Sequence, residues 1–495
     1  MRHLTYLLVI ILVGLIFAQK TPLQKSDYSA ITSHAQISRF LEEVTSAHPW
    51  VKYETIGKSV GGRELFAVWF SKSDFAADPS KLKVLIFCQQ HGNEQSGKEG
   101  ALLLIQELLK PENSYLFDKI DFVLVPQVNP DGSETNSRRN KNDMDLNRNH
   151  LILSEPETIA LHKLFNKYLF EVTMDVHEYF PYGDTYKEFG YRANSDIEAG
   201  RTTNINISGK IRELSKTRYL PFLKKQLNAN NISYFEYSPG GPPEKEYIRH
   251  STFDINDGRQ SLGIQNTFSF IQEGLNGTDR FLDNIKHRAE SQMTGMMALL
   301  QFSYDNKDEL KQLIAAERSA LINNTVSPKV AIQLDHFPDG TKLELPLLSY
   351  YTGRDTVITV TNYRPLVKAI HEVTRPAGYL IPSRLTEIIE WADRHQIKYT
   401  PYTKQSGDKY EHYFISSIDS IDFEGDIIVN PDVKAHDLGT NLPQDTYLFI
   451  PVNQLKNNTI VIALEPKSEL GLVTYPGFKH LLQKDGFYPI IRLIR

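Results

Sequence analysis

The chain of 495 residues holds one cysteine, Cys88. A single thiol excludes a disulfide framework within the chain. Because Cys88 ends the apolar run LIFC, it reads as a small core residue. A basic excess is lacking too. The net charge is −5 at pH 7, and so mild an acidic balance offers nucleic acid no electrostatic footprint. Long apolar runs are missing after the N-terminus, and the one at the start, LTYLLVIILVGLIFA, falls short of the roughly 20 residues that a spanning helix needs. Preceded by Arg2 and followed by polar sequence, it predicts a signal peptide over residues 1–18, cleaved near Ala18. The expectation is an exported protein, periplasmic or secreted, with no stable membrane span. No fixed-period repeat or low-complexity tract is visible. What is present suffices for real cores: 25 Tyr, 25 Phe and 40% hydrophobic residues, over a length suited to roughly two to three domains.

From residue 28 to 304 the pattern alternates strands with helices. KVLIFC, DFVLVPQ, FEVTMDV and TFSFI are short apolar runs suited to strands buried on both faces. GKEGALLLIQELL, PETIALHKLFNKY and NINISGKIRELSKTRYLPFLKKQLN carry apolar residues at helical spacing. Such alternation predicts an α/β domain with a mixed sheet flanked by helices. The segment 305–327 reads as a helical linker. After it, residues 328–495 predict a β-rich C-terminal accessory region, with KVAIQL, TVITVTN, YFISSIDSID, DIIVN, YLFIPV and TIVIAL as strands and RLTEIIEWADRHQ as its helix.

Two His-x-x-Glu pairs occur where chance supplies about one, so the pair alone is a weak motif. His287 and Glu290 lie in an amphipathic helical pattern and read as a solvated face. His91 and Glu94 follow the strand KVLIFC and precede a helix, the edge at which open α/β sheets bind ligands. A catalytic zinc needs a third protein ligand, and FEVTMDVHEY delivers His177 at the end of another core strand. Between them DLNRN brings Asn147 and Arg148, a donor and a guanidinium fork suited to an anionic substrate end. Asp145 could orient a metal-bound imidazole from behind.

The motifs HGNE, NPDG, SRRN, DLNRN, DVHE and FSFIQEG stand in the order seen in zinc carboxypeptidases of the carboxypeptidase A type, the M14 metallopeptidases. The chain resembles that family over residues 28–304, and its C-terminal run is similar to a domain appended to some exported bacterial members. The resemblance implies an eight-stranded mixed sheet and one zinc ion per chain on His91, Glu94 and His177. It makes Glu273 the general base and Arg138 the group that polarises the scissile carbonyl, with Arg139 as its competitor. Asn147 and Arg148 would hold the substrate's carboxylate, and Tyr247 would supply the family's mobile phenol. The family places its catalytic Glu directly after an aromatic-Thr-aromatic triplet, whereas here Ile271 and Gln272 intervene. Two extra residues on a strand preserve the facing direction.

The leading expectation is thus a metallocarboxypeptidase acting on a peptide or peptide-like substrate with a free carboxylate. Two alternatives stay open: a zinc amidohydrolase or deacylase for acylated amino acids or peptidoglycan-type amides, and an inactive module that captures chain termini. The sequence leaves oligomeric state and side-chain specificity undefined.

Overall fold

The computed structural model describes residues 19–494 except Pro49 and Glu424, so the expected signal peptide lies outside the described residues. An eight-stranded sheet forms the frame of the first half. Its strands are β1 (Val51–Lys58), β2 (Glu64–Phe70), β3 (Leu82–Cys88), β4 (Ile120–Val125), β5 (Val172–Tyr179), β6 (Ile197–Arg201), β7 (Tyr234–Glu236) and β8 (Phe268–Leu275). They lie in the order β1-β2-β4-β3-β5-β8-β6-β7. The middle four, β4-β3-β5-β8, are parallel, and β1, β2 and β6 join antiparallel. The expected mixed α/β sheet is therefore present.

The apolar runs explain this layering. Along β3, Val84, Ile86 and Cys88 enter one core cluster while Leu85 and Phe87 enter another, so both faces are dry. Helices Gln95–Leu108 and Ile285–Asp305 cover the first face, and Pro156–Tyr168 covers the second. Each fully buried large apolar side chain contributes about 1.5–3 kcal/mol. Cys88 is wholly buried, as expected of a core residue.

Helix Lys307–Ile322 occupies the expected linker, yet it is packed and not merely connecting. Leu310, Ile314 and Leu321 are buried, and Arg318 donates to the carbonyls of Leu169 and Phe170 at 2.7 and 2.6 Å. The C-terminal half is β-rich, built around a six-stranded sheet, with one correction. TIVIAL lies in the buried helix Asn457–Leu464, not a strand. A short apolar run fits a buried strand and a buried helix equally, and here all eight helix positions are covered by neighbours.

The halves share one core: the largest apolar cluster runs from Ile37 to Ile490 and includes Leu151 beside Trp391 and Ile460. Strand Leu343–Ser349 pairs antiparallel with Tyr191–Ala193 of the first half. Trp391 and His395 of helix Thr386–His395 both reach the Leu151 carbonyl, at 2.9 and 2.7 Å. Leu151 follows closely on the DLNRN loop, so the C-terminal half buttresses that loop. Among the described residues no helix is long and apolar enough to cross a membrane.

Candidate metal centre and cleft

The parallel strands β3, β5 and β8 end side by side, and their ends carry the chemistry. Past β3 the chain turns at Gln89, held at φ +59°, a left-handed conformation uncommon outside glycine. Asn129 of NPDG braces the turn, its Nδ2 donating to the Gln90 carbonyl at 3.1 Å. Gly92 is required there, since a Cβ would lie 2.1 Å from the Gly132 carbonyl carbon. HGNE and NPDG are thus two halves of one packed corner.

His91, Glu94 and His177 meet at this corner, each at most 5% exposed. His91 Nδ1 lies 2.7 Å from Glu94 Oε1, and His177 Nδ1 lies 2.9 Å from Glu94 Oε2 and 3.1 Å from His91 Nδ1. The far nitrogens face aspartates: His91 Nε2 is 3.1 Å from Asp145 Oδ1, and His177 Nε2 is 2.8 Å from Asp175 Oδ1. Three carboxylates around two imidazoles fit a divalent cation, with one donor atom from each of His91, Glu94 and His177 within 4.8 Å of the others. Burial opposes ionisation of Glu94, but both imidazoles outweigh it and hold the carboxyl well below its usual range.

Glu273 sits beside His177 in the parallel register of β8 on β5, and opposite Glu198 on β6. The offset of Ile271 and Gln272 has kept the facing direction. Burial raises the Glu273 pKa to about 7, with His177 lowering it and Glu94 raising it. Glu198 is raised to about 8, by burial and then by Glu273.

A cavity of about 320 Å³ opens over these groups, lined by His91, Glu94, Arg138, Asn147, Arg148 and Glu273 among others. Arg138 donates from Nε to Asp145 Oδ2 at 3.1 Å, with Nη1 3.2 Å from His91 Nδ1. Arg139 turns away to the Asp143 carbonyl at 2.8 Å, so that of the two neighbours Arg138 lines the cavity. Asn147 accepts at Oδ1 from the Gly258 amide at 2.8 Å and from Gln90 at 3.2 Å, while Arg148 is exposed at the mouth. Tyr247 is not among the lining residues; its ring lies under Arg364, 4.0 Å from the guanidinium carbon. Tyr237 lines the cleft instead. Glu178, next to His177, is engaged by Arg288 at 2.7 Å and by the Ser96 amide at 3.0 Å.

Sequence reasoning missed Asp175 and Gln90. Asp175 was signalled by DVHE, because residues two apart on a strand share a face. Gln90 donates to Asp175 Oδ2 at 2.8 Å as well as to Asn147, which ties the aspartate behind His177 to the DLNRN loop.

The zinc carboxypeptidase family model matches residues 37–237, a span that ends before Glu273. Carboxypeptidase 2 of Trichophyton rubrum is 24% identical over 94% of this chain and 87% of its own length. Carboxypeptidase D of Mus musculus is 26% identical over 44% of this chain and 18% of its own. A solved metallo-carboxypeptidase from Pseudomonas aeruginosa aligns with TM-score 0.44 and 20% identity over 57% of this chain and 70% of that one. The match to the Trichophyton rubrum protein runs through the C-terminal half as well as the first. The family match over residues 37–237 and the carboxypeptidase relatives make this chain similar to the zinc carboxypeptidases, and zinc is the metal this similarity implies for its His-Glu-His corner.

Proposed function

We propose that the chain is an exported metallocarboxypeptidase that hydrolyses the C-terminal amide bond of a peptide or peptide-like substrate bearing a free carboxylate. The observation that carries this reading is the convergence, in one cleft, of the buried histidine-glutamate cluster, Glu273, Arg138 and Arg148. His91, Glu94 and His177 would hold one zinc, which when bound supplies Lewis acidity and lowers the pKa of water to about 7. Glu273 takes the proton released by the attacking water and returns it to the leaving amine. A carboxyl with a pKa near 7 suits both transfers. Arg138, fixed by Asp145, stabilises negative charge that develops on the scissile carbonyl oxygen only beyond the ground state.

Asn147 has its oxygen engaged by Gly258 and Gln90, so its amide donor is the end that meets the substrate. With Arg148 it holds the terminal carboxylate. Tyr237, from its place in the cleft wall, is the better phenol donor than Tyr247. In this reading residues 1–18 are removed on export, 28–304 form the catalytic domain, 305–327 its helical connection and 328–495 an accessory region.

The test uses zinc-loaded protein and an N-blocked dipeptide, supplied as the free acid and as the C-terminal amide. Chelator-sensitive hydrolysis should favour the acid by about tenfold or more, since a hydrogen bond to a charged group contributes roughly 1.5–3 kcal/mol. Equal cleavage of both would overturn the exopeptidase reading in favour of an amidohydrolase. Binding of the acid without turnover would leave the terminus-capturing module.

A further inference from the structure

A second cavity, of about 350 Å³, opens at the seam between the two halves. Asn166 and Leu169 from the end of helix Pro156–Tyr168, Gln265, and Ile322 wall it from the first half, and Lys456 and Lys398 from the second. Lys456 is 7% exposed and makes no hydrogen bond or ion pair with any side chain or carbonyl among the described residues. Burial, with no neighbouring carboxylate to oppose it, lowers its pKa to about 7. Among the described residues no Asp or Glu lines this cavity, while Lys398 adds an exposed second ammonium at its rim.

The amide side chains in the cavity wall have spare hydrogen-bonding capacity. Both the nitrogen and the oxygen of the Asn166 side chain are buried without a partner, and so is Gln265 Oε1. Buried polar groups nearly always find partners, and a buried cation without a counter-charge is costlier still. Leu169 and Ile322, 37% and 46% exposed, supply apolar surface alongside.

We propose that the seam cavity binds a small organic carboxylate of amino- or hydroxy-acid size with an apolar side group. The carboxylate pairs with Lys456, and the Asn166 amide, closed off from the open cavity as the side chain stands, joins it when that side chain turns toward the ligand. The apolar group rests on Leu169 and Ile322. The volume is close to that of the catalytic cleft, and the two differ in that the cleft walls carry carboxylates of their own.

The test is calorimetric titration of zinc-loaded, full-length protein with leucine, 2-hydroxy-4-methylpentanoate and inorganic phosphate. Wild type and Arg148→Ala should both bind one of the organic acids saturably, because the seam is remote from the clamp. Lys456→Met should weaken that binding by about tenfold or more while keeping turnover at the catalytic cleft within about twofold. Asn166→Leu gives a second, smaller loss and guards against a folding defect in the lysine variant. Unchanged affinity in Lys456→Met would overturn the proposal, as would binding that vanishes in Arg148→Ala. Binding of phosphate but neither organic acid, or of nothing, would overturn it too. The heat of binding is read without hydrolysis, so failure of the carboxypeptidase reading leaves this result interpretable.

Discussion

Two cavities of similar size, about 320 and 350 Å³, differ in how their charges are balanced. In the cleft Arg138 is held by Asp145 and Arg259 by Asp257. In the seam no Asp or Glu among the described residues lines the cavity beside Lys456 and Lys398. Charges fixed by partners are preorganised, which suits a site that must stabilise a transition state without rearranging. A buried charge left without a protein partner suits recognition of a ligand that brings the opposite charge.

The comparison breaks most sharply at Glu273. Glu273→Gln should lower kcat by about 10²–10⁴-fold or more, since it removes the group acting on the reacting proton. The ascending limb of the kcat/KM profile should vanish with it, because a base must be deprotonated to work and this one titrates near 7. Near-normal turnover would reassign the base. Arg138→Ala should cost about 10²–10³-fold in kcat with a smaller change in KM, as for loss of one oxyanion donor. A pure KM effect would move Arg138 to ground-state binding.

Arg148→Ala should cost about 10–100-fold in kcat/KM on the free acid and narrow the preference over the amide. The loss is kept modest by the exposure of Arg148 at the mouth of the cleft. An unaltered acid-to-amide ratio would place the carboxylate elsewhere. Lys456→Met should leave turnover nearly unchanged and act on stability. The folded pKa of about 7 lies below the unfolded 10.5, so between these values the unfolded chain binds the extra proton and stability rises with pH. The cost of the buried ammonium is fully present below about pH 7. Urea unfolding at pH 6 should therefore find the variant more stable than wild type, on the order of 5 kcal/mol, with the gap closing toward pH 10. An equal pH slope in both proteins would mean that the ammonium is compensated.

The cleft was legible in the sequence because its parts sit at the ends of uninterrupted apolar strands. Periodicity separated His91 and Glu94 from the identical spacing at His287 and Glu290. That second pair lies on helix Ile285–Asp305, with His287 partly exposed and bonded to Asp196 at 2.8 Å. TIVIAL was misread because six apolar residues carry no period of their own. Gln90, Tyr237 and Arg288 were not legible, since each matters through a partner far along the chain. The seam is the extreme case: Asn166 and Lys456 are ordinary helix-end and loop residues until folding sets them in one wall.

The most direct test of the account is zinc content after exhaustive dialysis, measured on wild type, His91→Ala and His287→Ala side by side. One zinc per chain should remain in wild type and in His287→Ala and be lost from His91→Ala. Stoichiometric zinc retained by His91→Ala would contradict the assignment of the metal to the corner formed by His91, Glu94 and His177.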